Sequence, residues 1–153
     1  MLGKFFVKKE GPSLSFYMIT ELEVYDGFED KASHASRGRT SRNEVMFRQG
    51  GCFYVYLIYG LHYMLNIVTG DREYPAAILL RGSDRVSGPG RLSKELGIDK
   101  TFNNRLIDES DSLWLEDRGV RPDKKDIQSL PRIGVDYAGE EWRKKKLRFL
   151  WLT

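Results

Sequence analysis

Phe53-Tyr-Val-Tyr-Leu-Ile-Tyr-Gly-Leu-His-Tyr-Met-Leu-Asn-Ile-Val68 carries four of the eight tyrosines and one of the two histidines of the chain. β-Branched and aromatic residues on both sides of Gly60 favour strands, and a glycine between two such runs takes φ > 0 without steric cost. The stretch therefore reads as a β-hairpin folded back at Gly60, with Tyr59 at its tip. A buried strand pair accounts for the apolar residues. It does not account for phenol rings crowding the end that projects into solvent, so the hairpin reads as an aromatic probe.

Working outward, Gly3 to Lys9 reads as a first strand closed by Glu10-Gly-Pro12, and Phe16 to Tyr25 as a second. Strict alternation along the second puts Phe16, Met18, Leu22 and Val24 on one face and Ile19, Glu21, Glu23 and Tyr25 on the other. Phe28 to Ser36 is a polar loop or short helix containing His34, and Arg37-Gly-Arg-Thr-Ser-Arg42 is a basic loop leading into a helical turn at Asn43 to Phe47. Beyond the hairpin, Ala76 to Arg81 is a strand ending in a charge. Ser87-Gly-Pro-Gly-Arg-Leu92 opens a helix that Gly97 stops. Trp114 packs inward, Gly119 to Ser129 is a charged loop, Pro131 to Val135 a strand, Ala138 to Trp142 a turn of helix, and Leu147 to Leu152 a terminal strand.

Composition bounds the rest. A chain of 153 residues, 41% of them hydrophobic, has room for one domain with a real core. The net charge of +3 permits nucleic acid without demanding it. Cys52 is the only cysteine, which excludes an internal disulfide and a multi-cysteine metal site and points to a reducing compartment. No stretch approaches the roughly 18 apolar residues of a membrane helix, and the first ten residues do not resemble a signal peptide. The expectation is an intracellular protein that does not enter a membrane.

Glu21 and Glu23 on one strand face suit the acid/base chemistry of glycoside hydrolysis, in which carboxylates stabilise an oxocarbenium-like transition state and activate water. Two solvated surface acids are the plainer reading from spacing alone. Arg81, closing a strand, is suited to pair with either glutamate. His34 and His62 read first as loop and hairpin histidines. Arg37, Arg39 and Arg42 are candidate phosphate contacts, as are the backbone N–H groups around Gly88, Gly90 and Arg91 at a helix start. Arg143 to Lys146, with acids just before them, read as a solvated face. No spacing suggests a metal.

Eight blocks stand in a familiar order: Glu21-Leu-Glu-Val-Tyr-Asp-Gly27, Glu29-Asp-Lys-Ala-Ser-His-Ala35, Thr40-Ser-Arg-Asn43, Tyr54-Val-Tyr-Leu-Ile-Tyr-Gly60, Leu65-Asn-Ile67, Leu79-Leu-Arg81, Ser87-Gly-Pro-Gly-Arg-Leu92 and Arg132-Ile-Gly-Val-Asp-Tyr-Ala-Gly139. From about Leu2 to Phe149 the chain resembles the alkyladenine (3-methyladenine) DNA glycosylase family. The resemblance implies an α+β fold, a single mixed domain spanning 1–153 with a curved antiparallel β-sheet, short helices and a protruding β-hairpin. It implies a monomer that acts on double-stranded DNA with damaged purines, uses no metal or other cofactor, and works in the cytoplasm or nucleoid of a bacterium or the nucleus of a eukaryote.

The resemblance also implies roles. Glu23 matches the carboxylate that activates water; Arg81 and the carbonyl of Val135 match its other water ligands. Tyr25, His34 and Tyr56 match residues that sandwich the flipped base, Asn66 a residue that clashes with the amino group of normal guanine, and Tyr59 the intercalating residue. No lysine nucleophile is matched, which implies a monofunctional enzyme. Three departures stand out: only Gly82 to Val86 separate Arg81 from the Ser-Gly-Pro-Gly motif, the usual lead-in before the first strand is missing, and Asp136 replaces a small residue beside Val135. A noncatalytic module that binds damaged DNA is the alternative.

Overall fold

Strand β2 (Ser13–Asp26) is the axis of the fold. A computed structural model of the chain describes residues 1–152, and in it the first half of β2 pairs with β1 (Phe5–Glu10) from Glu10↔Ser13 to Phe5↔Met18. The second half runs between β5 (Ala76–Ser83) and β8 (Arg148–Trp151). The hairpin strands β3 (Phe53–Ile58) and β4 (His62–Val68) extend the sheet beyond β5, while β6 (Leu113–Glu116) caps β1. β7 (Ile127–Leu130) pairs with β8, and all pairings are antiparallel. The sheet curls into a half-barrel. With the short helices α1 (Pro89–Leu96) and α2 (Glu140–Lys144) it is the expected α+β fold with a curved antiparallel sheet.

Strict alternation along β2 fails in the middle. Its pairing with β5 slips between Ile19 and Leu22, and an extra residue in one strand sends all later side chains to the opposite face. Tyr17 and Ile19 therefore lie in the main core together with Leu22, beside Phe53, Leu65, Leu80 and Leu92. Phe16, predicted to share the Leu22 face, instead lies under the Arg118 guanidinium, 4.1 Å from its ring. Beyond the slip the expected pattern holds, with Leu22 and Val24 facing the core.

The hairpin forms as its sequence dictates. Ile58 faces His62, the Leu61 N–H donates to the Ile58 carbonyl at 3.1 Å, and the two residues between, Tyr59 and Gly60, have φ of 52° and 66°. Paired positive φ values match the right-handed twist of the flanking strands. Gly60 takes this at no cost; Tyr59 does not, since a bulky residue rarely occupies that region. Its side chain is 87% exposed, so packing does not hold it there.

Pro131–Val135, expected as a strand, is a loop, and the strand lies just before it as β7, overlapping the end of the stretch expected as a charged loop. Pro131 has no N–H to give to a ladder, and the N–H of Ile133 is turned to Glu23 instead. Trp114 is buried as expected, its indole N–H donating to Glu116 at 3.0 Å.

Candidate active site

Glu23 is 0% exposed, which overturns the reading of Glu21 and Glu23 as solvated surface acids. Its neighbours on β5 and β8 are Leu79 and Arg148, and the Pro131–Val135 loop covers the remaining side. A buried carboxylate needs partners. Oε1 accepts the Ile133 N–H at 2.8 Å and lies 3.3 Å from Nη1 of Arg81; Oε2 accepts the Tyr25 hydroxyl at 2.9 Å. An ionised carboxylate has about four lone-pair sites, so these three donors leave one open. Glu21, two residues back, accepts from Nε of Arg81 at 3.2 Å and from Nη1 of Arg148 at 3.0 Å. Arg81 thus bridges both glutamates.

A second ion pair stands behind this one and was not visible in sequence. Arg132 and Asp30 are both without side-chain exposure and meet through two bonds, Nη1 to Oδ2 at 2.6 Å and Nη2 to Oδ1 at 2.8 Å. Nη1 of Arg132 also donates to the Val24 carbonyl at 2.8 Å, and its guanidinium lies 4.6 Å from the centre of the Tyr25 ring. One face of Tyr25 is thereby occupied. Asp30 further accepts the Ala32 N–H at 3.1 Å, which fastens the His34 loop to the same anchor. No local periodicity announces a pair separated by 102 positions.

The aromatic residues gather in front. His34 opens a 3₁₀ turn (His34–Arg37), its ring edge-on to Tyr56 at 4.6 Å, with Nδ1 3.0 Å from the Tyr54 hydroxyl. Burial, helped by the charge of Arg42, holds the His34 imidazole below its ordinary pKa. Burial pushes the Tyr54 phenol up to about 12 and raises Tyr25 and Tyr56 as well. Asn43 fixes the loop by donating from Nδ2 to the carbonyls of His34 and Gly38, each at 2.9 Å. Asn66 is buried on β4, its amide donating to the Tyr54 carbonyl at 3.1 Å. Tyr25, His34, Tyr56 and Asn66 line one small pocket, joined by Tyr54 and Tyr137, neither of which spacing had singled out.

That pocket opens on a groove of about 570 Å³ running from Tyr59 and His62 on the hairpin, past Arg81, to Gly134 and Val135. Three arginines, Arg42, Arg81 and Arg91, and two histidines line it, and no carboxylate does. Gly88 and Gly90 form its edge at the start of α1. Gly90 packs closely under His62: a Cβ there would come 3.1 Å from its Cγ, so the imidazole would have to shift. The Val135 carbonyl, beside the groove, accepts the Ala138 N–H at 3.0 Å.

The other predicted residues divide. Arg37 and Arg42 line a recess of about 410 Å³ beside the pocket, and Arg42 also donates to the Leu57 carbonyl at 3.1 Å. Arg39 is not brought to the groove: it pairs with Glu73, lies 4.4 Å over the Phe47 ring and lines a separate cleft. The carboxylate of Asp136 is turned to solvent and lies 3.6 Å from Arg143, away from the pocket wall. Lys144 and Lys145 pair with Glu140 and Glu141 at 2.5 and 3.2 Å on the surface, in keeping with a solvated face. Among the described residues no cluster of His, Cys, Asp and Glu has the makings of a metal site, and no helix is long and apolar enough to cross a membrane.

The chain is similar to known proteins. A protein of Psychrobacter cryohalolentis named "Putative 3-methyladenine DNA glycosylase" is 42% identical over 87% of this chain and 73% of its own length. Proteins of the same name from Methanocella arvoryzae and Legionella pneumophila (strain Lens) are 40% and 41% identical, covering 94% and 97% of this chain and 82% and 84% of their own. The pattern of the family described as "Methylpurine-DNA glycosylase (MPG)" matches residues 1–87 and 82–152. The two matched stretches meet where only five residues separate Arg81 from Ser87. With a match over almost its whole length and these relatives, the chain belongs to the methylpurine-DNA glycosylase family.

Proposed function

We propose that this chain, as a single domain acting as a monomer, excises alkylated or deaminated purines from double-stranded DNA and leaves an abasic site. The observation that carries the reading is a buried, hydrogen-bonded carboxylate behind a groove lined by cations and lacking acids. A groove of that sign attracts the phosphate backbone. The target base lies inside the duplex and has to be extruded, at a cost of a few kcal/mol that is smallest for damaged bases.

In this reading Tyr59 enters the stack where the nucleotide leaves it, and the base passes between Tyr25, His34 and Tyr56, where aromatic contact is worth about 1–3 kcal/mol. Asn66, held by its bond to the Tyr54 carbonyl, screens the purine edge against normal guanine. The open lone pair of Glu23 receives a proton from a water whose oxygen bonds to C1′. The C1′–N bond breaks with its electron pair leaving on the base. The charge of Glu23 stabilises the oxocarbenium-like sugar, and Arg81 and the Val135 carbonyl hold the water. A base that is already cationic, such as 3-methyladenine, departs neutral and needs no strong acid. The chemistry needs no lysine nucleophile and no redox step.

Duplexes carrying a single hypoxanthine or 1,N6-ethenoadenine test this. Alkali-labile sites should form at the lesion and nowhere else. Binding without alkali-labile sites at any alkylated or deaminated purine would leave a noncatalytic damage-binding module.

A further inference from the structure

Tyr137 stands where three spaces meet. Its ring lines the small pocket, the groove and the recess beside Arg37 and Arg42. It is 63% exposed, yet its hydroxyl is tethered, donating to the Ala32 carbonyl at 2.7 Å. That bond joins the 3₁₀ turn Asp136–Ala138 to the loop that carries His34. With Tyr137 so placed, the pocket behind it measures about 30 Å³. Such a space holds one water, whereas a cavity of about 150 Å³ is what accepts a single benzene ring. A purine has two fused rings.

Tyr25, His34 and Tyr56 also face the groove, but Asn66 lines only the small pocket, so a base that reaches Asn66 needs room from one of that pocket's walls. Tyr54 and Asn66 are buried in paired strands and bonded to their surroundings. Tyr25 is backed by Arg132 and bonded to Glu23. Tyr56 is held in the β3–β4 ladder opposite Met64. His34 also lies outside the sheet, but its turn is fastened by Asn43 and Asp30 and its ring is wedged against Tyr54 and Tyr56. Tyr137 lies outside the sheet, largely in solvent, with one side-chain hydrogen bond to give up. Giving up one such hydrogen bond costs far less than disturbing a strand.

We propose that Tyr137 is the movable wall of the base pocket. It releases Ala32 and turns outward as a purine enters, and its ring then sets which adducts fit, making it a specificity-determining residue. The inference rests on the glycosylase reading. Tyr137→Ala, which removes the ring, and Tyr137→Phe, which removes only the tether, separate its parts.

Excision rates and gel-shift affinities are measured for duplexes holding hypoxanthine or the bulkier 1,N6-ethenoadenine, after far-UV circular dichroism and melting have checked the fold. Tyr137→Ala should raise the kcat/KM ratio of ethenoadenine to hypoxanthine roughly tenfold, the scale of discrimination by pocket shape. Tyr137→Phe should leave that ratio unchanged. An equal change on both substrates in Tyr137→Ala marks a structural residue and overturns the proposal while leaving the glycosylase reading intact. If the wild type binds without excising, the ratio of affinities decides in the same way. A wild type that neither binds nor excises overturns both.

Discussion

In the proposed reaction Glu23 is the residue on which the chemistry turns, and its surroundings make a sharp test possible. Glu23→Gln keeps the shape and most of the hydrogen bonds but removes the charge and the proton acceptor. Excision should fall by roughly 10²–10⁴-fold with duplex affinity retained; unchanged single-turnover rates would remove Glu23 from the reaction. From spacing, Glu21 and Glu23 were indistinguishable from two exposed acids. What separates them is which arginines and N–H groups reach them, from as far away as Ile133 and Arg148. His34 supplies a second test. Because its pKa is lowered on folding, the unfolded chain takes up a proton near the ordinary value of about 6.5 that the folded chain refuses. This contribution to stability is complete above that pH and is lost as pH falls toward the folded pKa. Melting curves from pH 8 to 5 should show a shallower loss for His34→Gln than for the wild type.

At the scale of elements, the hairpin allows folding to be tested apart from the proposed function. Tyr59 occupies a backbone region that glycine prefers, so Tyr59→Gly should leave the melting temperature unchanged or slightly higher. Loss of the ring should nonetheless weaken binding to damaged duplex by about 1–3 kcal/mol. Affinity that survives this substitution would rule out the wedge. The hairpin could be read directly because its strands, turn and register are all local: adjacent runs of β-formers and a glycine between them. Strand β2 could be read only in part, since its slip opposite β5 is a property of two strands separated by some sixty residues. Likewise the Pro131–Val135 loop has apolar residues that suit a strand, and its true conformation follows from the pull of Glu23 on the Ile133 N–H.

For the whole molecule, a net charge of +3 says little about where the charge lies. Folding concentrates Arg42, Arg81 and Arg91 along one groove while turning Arg39 to Glu73. Arg91→Ala should therefore weaken binding to all duplexes alike and lower the salt slope by about one unit, measured by titrating affinity against salt; a change confined to damaged duplex would contradict a phosphate contact. The Arg132–Asp30 pair ties the loop after β2 to the loop after β7. Arg132→Ala leaves a buried carboxylate uncompensated, a loss of about 3–5 kcal/mol and on the order of 10 °C in Tm, and calorimetry should show it. By itself the sequence determined the hairpin, the start of α1, the buried Trp114 and, through its ordered motifs, the family, because these rest on local propensity or on recognisable blocks of residues. Only the tertiary structure decided that Glu23 is buried, that Arg132 meets Asp30, and that Tyr137 lines the pocket with its hydroxyl on the Ala32 carbonyl. Burial and ion pairing depend on which distant segments are brought within a few ångströms, and no spacing along the chain carries that distance.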